Sequence, residues 1–405
     1  MTHADRIVDV RAYLVKSDAR RTPEPSEDSA NSTGKPGGHW LEGKVANPMT
    51  RYPEFRDNRS AAIGPAVGGF VVQVESASGH VGYGTSVGGL AGAAIVEQHL
   101  AYLVEGERAS AHERLWDRMY SSTLRYGRKG LVLHAISAVD IAVWDLHGQI
   151  TQSPVHELLG GRTHDRIRLY ATGPRADQAA RFGFAGGKLP LVWAPCEGQE
   201  GFERNVAIAR EARESVPDGF PLMYDCWMAL DVDYAARLAH AVHPLGFQWI
   251  EEPLLPDDYR GHERLRARIP PDMMLTTGEH EYTAAGFELL CRSGVDIVQP
   301  DPAWCGGLTE LRRIAAVARA HGVKLVPHAG GMVSYHFVAS RPECELAEFP
   351  MVSPDGHTIA PQHAPLFSGE AVPVDGWLEV GDAPGFGLTP SDDVQLVRPV
   401  IGDST

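Results

Sequence analysis

Apolar and polar residues alternate strictly in two stretches near the start of the chain. RIVDVRAYLV (6–15) and GGFVVQVESASGHVGYGTSV (68–87) both carry the two-residue period of a half-buried strand. In the second, Phe70, Val72 and Val74 share one face and SASGH supplies a polar turn, which predicts a hairpin. The period then lengthens. Ile95, His99, Leu100 and Leu103 form a helical stripe, and Ser110 with Glu113 has capping-box spacing at the head of another helix. From about residue 166 short strand-like runs recur: RIRLYAT (166–172), GFAGGKLPL (183–191), PLMYDCW (221–227), FQWIEEP (247–253), MMLTTGE (273–279), VDIVQPD (295–301), VKLVPH (323–328) and ELAEFPM (345–351). Most intervals hold a helical pattern. In 309–322, Leu311, Ile314, Ala315 and Ala318 line one face, and Gly322 is placed to end the helix. Strands alternating with helices imply parallel pairing, here an α/β fold with a modified (β/α)-barrel.

Two stretches follow neither period. Residues 22–55 are rich in Pro, Gly and Ser, yet carry His39, Trp40, Lys44 and Arg51, which favours a lid over an idle linker. Residues 372–390 contain a DG turn and are expected to return to the N-terminal unit. At 405 residues the chain exceeds one ordinary core. The expected organisation is an α+β capping domain (1–150), a barrel (151–366) and a C-terminal segment packing back on the cap (367–405).

Composition narrows the partners. With 37 Lys+Arg against 52 Asp+Glu the formal charge is −15, and no basic cluster stands out. Nucleic acid and anionic membrane are therefore excluded as partners, and an anionic substrate needs locally supplied positive charge. No apolar run reads as a signal peptide or as long enough to span a bilayer. Cys196, Cys226, Cys291, Cys305 and Cys344 are scattered without a C-x-x-C pair, as expected of buried, reduced thiols in a cytoplasmic protein.

The candidate chemistry lies where the strand runs end. FQWIEEP begins as a buried strand and closes on two carboxylates, which burial penalises unless something pairs with them. Successive runs end in Asp225, Glu251, Glu279, Asp301, His328 and Glu348. Singly, each reads as a helix cap, a solvated loop acid or a structural histidine. Together they converge on the mouth of one barrel, where catalytic groups of this architecture project. Asp225, Glu251 and Glu279 offer oxygen only, which suits Mg²⁺ better than Zn²⁺, with Glu252 making outer contacts. Asp301 beside His328 orients the imidazole as a general base. Glu348, among other acids, is expected to be held protonated and to donate a hydrogen bond to developing negative charge.

These residues resemble the enolase superfamily and, within it, the L-rhamnonate dehydratase group. The likeness runs through NPMTRYPEFR (47–56), YGRKGLVLHAISAVDIAVWDLHG (126–148), PVHELLGG (154–161), YDCWMALD (224–231), WIEEPLLPDDY (249–259), TTGEHE (276–281), QPDPAWCGG (299–307) and SYHFVASR (334–341). YDCW and GEHE together are fairly specific; WIEEP marks only the wider superfamily. The resemblance implies Mg²⁺ on Asp225, Glu251 and Glu279, a His328–Asp301 base dyad, and Glu348 stabilising an enediolate. It also implies substrate contacts from Arg59 and His39 of the cap, and assembly as a homo-oligomer. The implied reaction is dehydration of a sugar acid, L-rhamnonate or a stereochemically similar aldonate, to a 2-keto-3-deoxy acid.

Some positions depart from the group: Thr33 stands where a second lid histidine is usual, HAGGMVSY (328–335) replaces a Ser-rich run, and LEGKVANP (41–48) lacks the usual acidic and His residues. They bear on which sugar acid fits. Lys188 stands where other members carry a lysine base, and His280 follows Glu279. Lys188 as a second base on the opposite face would permit the alternative of a racemase or epimerase. A non-catalytic, metal-stabilised barrel would need no base at all.

Overall fold

The computed structural model describes residues 5–16, 40, 43–57 and 68–400. The alternating stretches form β1 (Ile7–Lys16), β2 (Gly69–Ser76) and β3 (Val81–Val87), paired antiparallel in that order. Phe70, Val72 and Val74 are buried against three helices, α1 (Gly89–Val104), α2 (His112–Thr123) and α3 (Leu131–Thr151). A π turn at Val96–Leu100 inserts one residue into α1 and shifts its stripe. Val96, Leu100 and Val104 are buried, whereas Ile95 and Leu103 pack at the core's margin. The capping box at Ser110 does not form. Ala111 precedes α2, and Glu113 pairs instead with Arg312 and Arg313 of the barrel.

α3 corrects the bilayer expectation: by length and composition it is apolar enough to span one. Its apolar surface is instead buried in the protein, against the hairpin on one side and the barrel on another. The hairpin approaches closely because β3 offers glycine there. A Cβ on Gly84 would lie 2.1 Å from the Ala138 carbonyl oxygen, and one on Gly82 would lie 2.3 Å from that of Ala142.

All eight barrel runs form strands: β4 (Ile167–Thr172), β5 (Gly187–Pro190), β6 (Leu222–Asp225), β7 (Phe247–Glu251), β8 (Met274–Thr277), β9 (Ile297–Val298), β10 (Lys324–Leu325) and β11 (Leu346–Pro350). They pair in parallel in the order β10–β9–β8–β7–β6–β5–β4–β11, a curled sheet with β10 and β11 at its ends. β9 and β10 are shorter than their sequence runs, which leave the ladder early to form the mouth. The outer helices are α4 (Val155–Leu158), α5 (Ala176–Arg181), α6 (Gly198–Glu214), α7 (Val232–Val242), α8 (Tyr259–Arg266), α9 (Thr283–Arg292), α10 (Gly307–Ala320) and α11 (Gly331–Ala339). The Leu311, Ile314, Ala315 and Ala318 face of α10 is buried as expected.

After residue 366 come β12 (Phe367–Ser368), β13 (Trp377–Leu378), β14 (Thr389–Pro390) and β15 (Gln395–Val397). The DG turn forms at Asp375 and Gly376, with φ of 50° and 71°. It returns β13 onto β4 of the barrel, while β15 pairs with β1 of the cap.

Candidate active site

Strand periodicity explains the polar mouth. Tyr170, Met223, Trp249, Ile297 and Val326 form one apolar cluster, with Met274 and Leu346 packed against it. Two residues further along the same strands come Thr172, Asp225, Glu251, Thr276, Gln299, His328 and Glu348. The two-residue repeat of a strand aims these at the same side, one layer nearer the mouth. Asp225 and Glu251 are direct ladder neighbours. Immediately past the strands, Trp227, Met228, Glu252 and Ala329 hold positive φ, strain gathered at the mouth.

His328 Nδ1 lies 2.8 Å from Asp301 Oδ2, and its Nε2 lies 2.9 Å from Glu279 Oε2. Asp301 is itself fixed by the Ala303 N–H at 2.7 Å. Burial works against a charged ring, but Glu279 and Asp301 hold the imidazole well above the usual histidine range. Trp304 packs against the rings of His328, His280 and His134, so the cap helix α3 also braces the dyad.

Lys188 is the buried cation of the site. Its ammonium pairs with Glu251 and, at 2.9 Å, with Glu348, all three side chains being 1% exposed. Glu348 also accepts from the Thr172 hydroxyl and, at 2.9 Å, from the Ala329 N–H. Although burial opposes ionisation, Lys188 and His328 bring its pKa below the usual value. The expectation of a protonated, donating Glu348 is therefore corrected. It is an ionised acceptor, because a cation and two donors already face it.

The metal expectation can be tested on the donor set. Glu251 accepts from Gln299 at 2.6 Å, and its pKa is pushed up to about 8. Burial is the main cause; Lys188 opposes it, while Asp225, Glu348 and Glu279 add repulsion. Three carboxylates from adjacent strands thus crowd with too little positive charge, and they offer only oxygen. That fits a hard divalent cation. Among the described residues, the grouping whose ligand atoms all lie within 4.8 Å of one another is instead Glu252, Glu279 and His280; Asp225, Glu251 and Glu279 are not brought that close. There Glu252 is already engaged by the Thr277 hydroxyl, the Gly278 N–H and His280 Nδ1, at 2.8, 3.0 and 3.0 Å. An imidazole ligand also suits Mg²⁺ poorly. The first set fits better, with Glu252 and His280 as its outer support.

Sequence reasoning leaves out Thr172, Gln299 and Trp227, whose Nε1 donates to Glu279 at 3.1 Å. The signal was the period-two step from the apolar layer, which also reaches neutral residues. Lys44 points away from any substrate role: it pairs with Glu197 and stacks 3.8 Å over Trp193. Trp40, within the stretch expected to form a lid, donates from its backbone to Pro354 at 3.0 Å and from its indole to Met351 at 2.9 Å. His39, Thr33 and Arg59 lie outside the described residues. Cys196 is exposed, against expectation, while the other four thiols are buried. A cavity of about 310 Å³ runs from Asp301 and His328 between the hairpin and the barrel, lined by Phe70, Tyr83, Met332 and Phe367.

Residues 68–160 match the family "Mandelate racemase / muconate lactonizing enzyme, N-terminal domain", and residues 173–394 match "Enolase C-terminal domain-like". An L-rhamnonate dehydratase from Saccharopolyspora erythraea is 47% identical over 399 residues, 98% of this chain and all of its own. The structure of rhamnonate dehydratase from Gibberella zeae complexed with Mg superposes with a TM-score of 0.91 at 37% identity, covering 98% of each chain. A racemase from Streptomyces coelicolor A3(2) with bound magnesium is more distant, with a TM-score of 0.75 at 27% identity over 95% of this chain and 97% of its own.

Proposed function

The chain belongs to the enolase superfamily, and on that premise we propose that it is a Mg²⁺-dependent hydro-lyase converting L-rhamnonate, or an aldonate of similar stereochemistry, to a 2-keto-3-deoxy acid. The observation that carries the reading is the Asp301–His328 dyad with Glu279 at 2.9 Å from its free nitrogen, at the end of the sheet where the neighbouring strands close on Asp225 and Glu251. Those three carboxylates would hold the ion. Bound there, magnesium supplies positive charge to the substrate carboxylate, which acidifies the C2 proton.

His328 acts in its neutral form, which requires Glu279 to be engaged by the cation instead of by the ring; it then takes that proton at Nε2, because Asp301 holds the opposite nitrogen and fixes the tautomer. The C2–H electron pair moves into the carboxyl group. Lys188, kept cationic between Glu251 and Glu348, lies close to the developing charge. His328 then returns the proton to the C3 hydroxyl, which leaves as water. The resulting enol tautomerises to the 2-keto product. Glu348 acts through Lys188 and Thr172, whose polar ends it holds in place. Arg59 and His39, outside the described residues, complete the proposal as substrate contacts.

A racemase would need a second base across C2. Lys188 is poorly placed for that, being clasped by two buried carboxylates. The proposed division of labour assigns recognition to residues 1–150, chemistry to 151–366 and closure of the two sheets to 367–405. Unpaired thiols support a reducing, cytoplasmic setting, and the family expectation is a homo-oligomer. The test is turnover of a panel of sugar acids with Mg²⁺ and with EDTA. Metal-dependent formation of a 2-keto-3-deoxy acid from L-rhamnonate or a close stereochemical relative supports the reading. Epimerised acid without keto product refutes it.

A further inference from the structure

The β8 end carries two acids with different surroundings. Glu279 faces the site, whereas Glu281 turns the other way and its side chain is wholly buried. A buried carboxylate needs partners, and Glu281 has three. The Tyr282 N–H donates to Oε1 at 2.7 Å, Tyr259 Oη donates to Oε2, and Lys129 Nζ lies 2.8 Å from Oε1. Lys129 is the cation among them, and it comes from the capping domain, from the loop joining α2 to α3. It also reaches Asp257 at 2.8 Å and the Tyr259 hydroxyl at 3.1 Å.

The turn so held is short and tight. The Glu281 N–H closes on the Gly278 carbonyl at 3.1 Å, with Gly278 at φ +129°. On its far side Glu281 packs on α9, where a Cβ added to Gly286 would come within 2.3 Å of Glu281 Oε1. Between these fixed points stand Glu279 and His280, so moving Glu281 moves both. The cap grips the next residue as well, through His134 Nε2 to Tyr282 Oη at 3.0 Å.

We propose that Lys129 is a positioning residue: through Glu281 it holds the Gly278–Tyr282 turn, and so sets how tightly Glu279 and its neighbours bind Mg²⁺. The capping domain thereby contributes to the metal site without touching it. This inference rests on the assignment of Glu279 as a metal ligand.

The test is calorimetric titration of MgCl₂ into the metal-free full-length protein. Removal of an outer partner of a ligand typically weakens metal binding tenfold or more, so Lys129→Met should raise Kd about tenfold. Glu281→Gln should do the same, and the double variant should add little, because both act through one contact. Lys129→Arg keeps the cation and should restore affinity to within about threefold. Asp257→Asn removes only a solvent-exposed partner and should leave Kd within about twofold. At saturating Mg²⁺ the Lys129→Met protein should recover most of its kcat, separating lost affinity from lost chemistry. Lys129→Met and Glu281→Gln proteins that bind Mg²⁺ as tightly as the parent would overturn the proposal, and Glu281→Gln decides alone if Lys129→Met does not fold. Should Glu279→Gln also bind Mg²⁺ normally, the metal assignment itself falls. Should only that variant lose binding, the positioning role alone falls.

Discussion

Asp140 lies on the face of α3 that meets the barrel, and it caps α10 from another domain. Its two oxygens accept from the Thr309 N–H at 2.9 Å and the Thr309 hydroxyl at 2.6 Å. Gly307 makes room, since a Cβ there would sit 2.4 Å from Asp140 Oδ2. Burial nevertheless raises the Asp140 pKa from 3.8 to about 7, outweighing the hydrogen bonds from Thr309 and Leu308 and the pull of Arg313. A raised acid keeps its proton longer in the folded state than in the unfolded one. Its contribution to stability is therefore complete below pH 3.8 and is lost as pH rises through about 7. At about 1.4 kcal/mol per pH unit, the loss between pH 5 and pH 8 is about 3 kcal/mol.

Asp140→Asn removes the ionisation, while the amide oxygen can still accept from the Thr309 N–H. Urea unfolding followed by circular dichroism at pH 5, 6, 7 and 8 should show the variant gaining about 3 kcal/mol on the parent across that range. Parallel profiles would refute the reasoning, as would a variant that loses ground as pH rises. In that case the ionised cap would be a net stabiliser of the domain seam.

Three further outcomes are expected. His336 is 1% exposed and its pKa is lowered to about 3, by burial and then by His156. Below pH 6.5 the unfolded chain takes up a proton that the folded ring refuses, so stability should fall by about 1.4 kcal/mol per pH unit; His336→Gln should flatten the fall in Tm from pH 7 to pH 5. Gly84→Ala drives a methyl group into the Ala138 carbonyl and should destabilise by about 3 kcal/mol, read as a lower urea midpoint. Asp225→Asn, Glu251→Gln and Glu279→Gln should each abolish turnover while keeping the circular dichroism spectrum, and EDTA should mimic them until Mg²⁺ is restored.

The strand ends are legible in the sequence because six of the runs break their apolar pattern with an acid or a histidine at or near the end. Six of those residues meet at one mouth for the simple reason that parallel strands end on one side. The state of Glu348 is not legible in that way. It depends on Lys188 arriving from β5 and on the Ala329 N–H, contacts distant in sequence. Short pairing at β9 and β10 is likewise hidden, since VDIVQPD and VKLVPH look as strand-like as their neighbours. The π turn in α1 escapes periodicity by its nature: one inserted residue shifts every later position on the face. Lys129 reads as a surface lysine until the fold brings Glu281 beneath it.

The central claim is that His328 is the sole proton-transfer group at C2. It is tested most directly by incubating the protein with both C2 epimers of the sugar acid in D₂O and following the C2 signal by NMR. The parent protein should form 2-keto-3-deoxy acid from one epimer. His328→Asn should abolish both product formation and C2 exchange. Asp301→Asn should slow both and lower the pKa of the base in the pH–rate profile. Exchange surviving in one epimer of the His328→Asn protein, with no keto acid from the parent, would contradict the account and identify Lys188 as a second base.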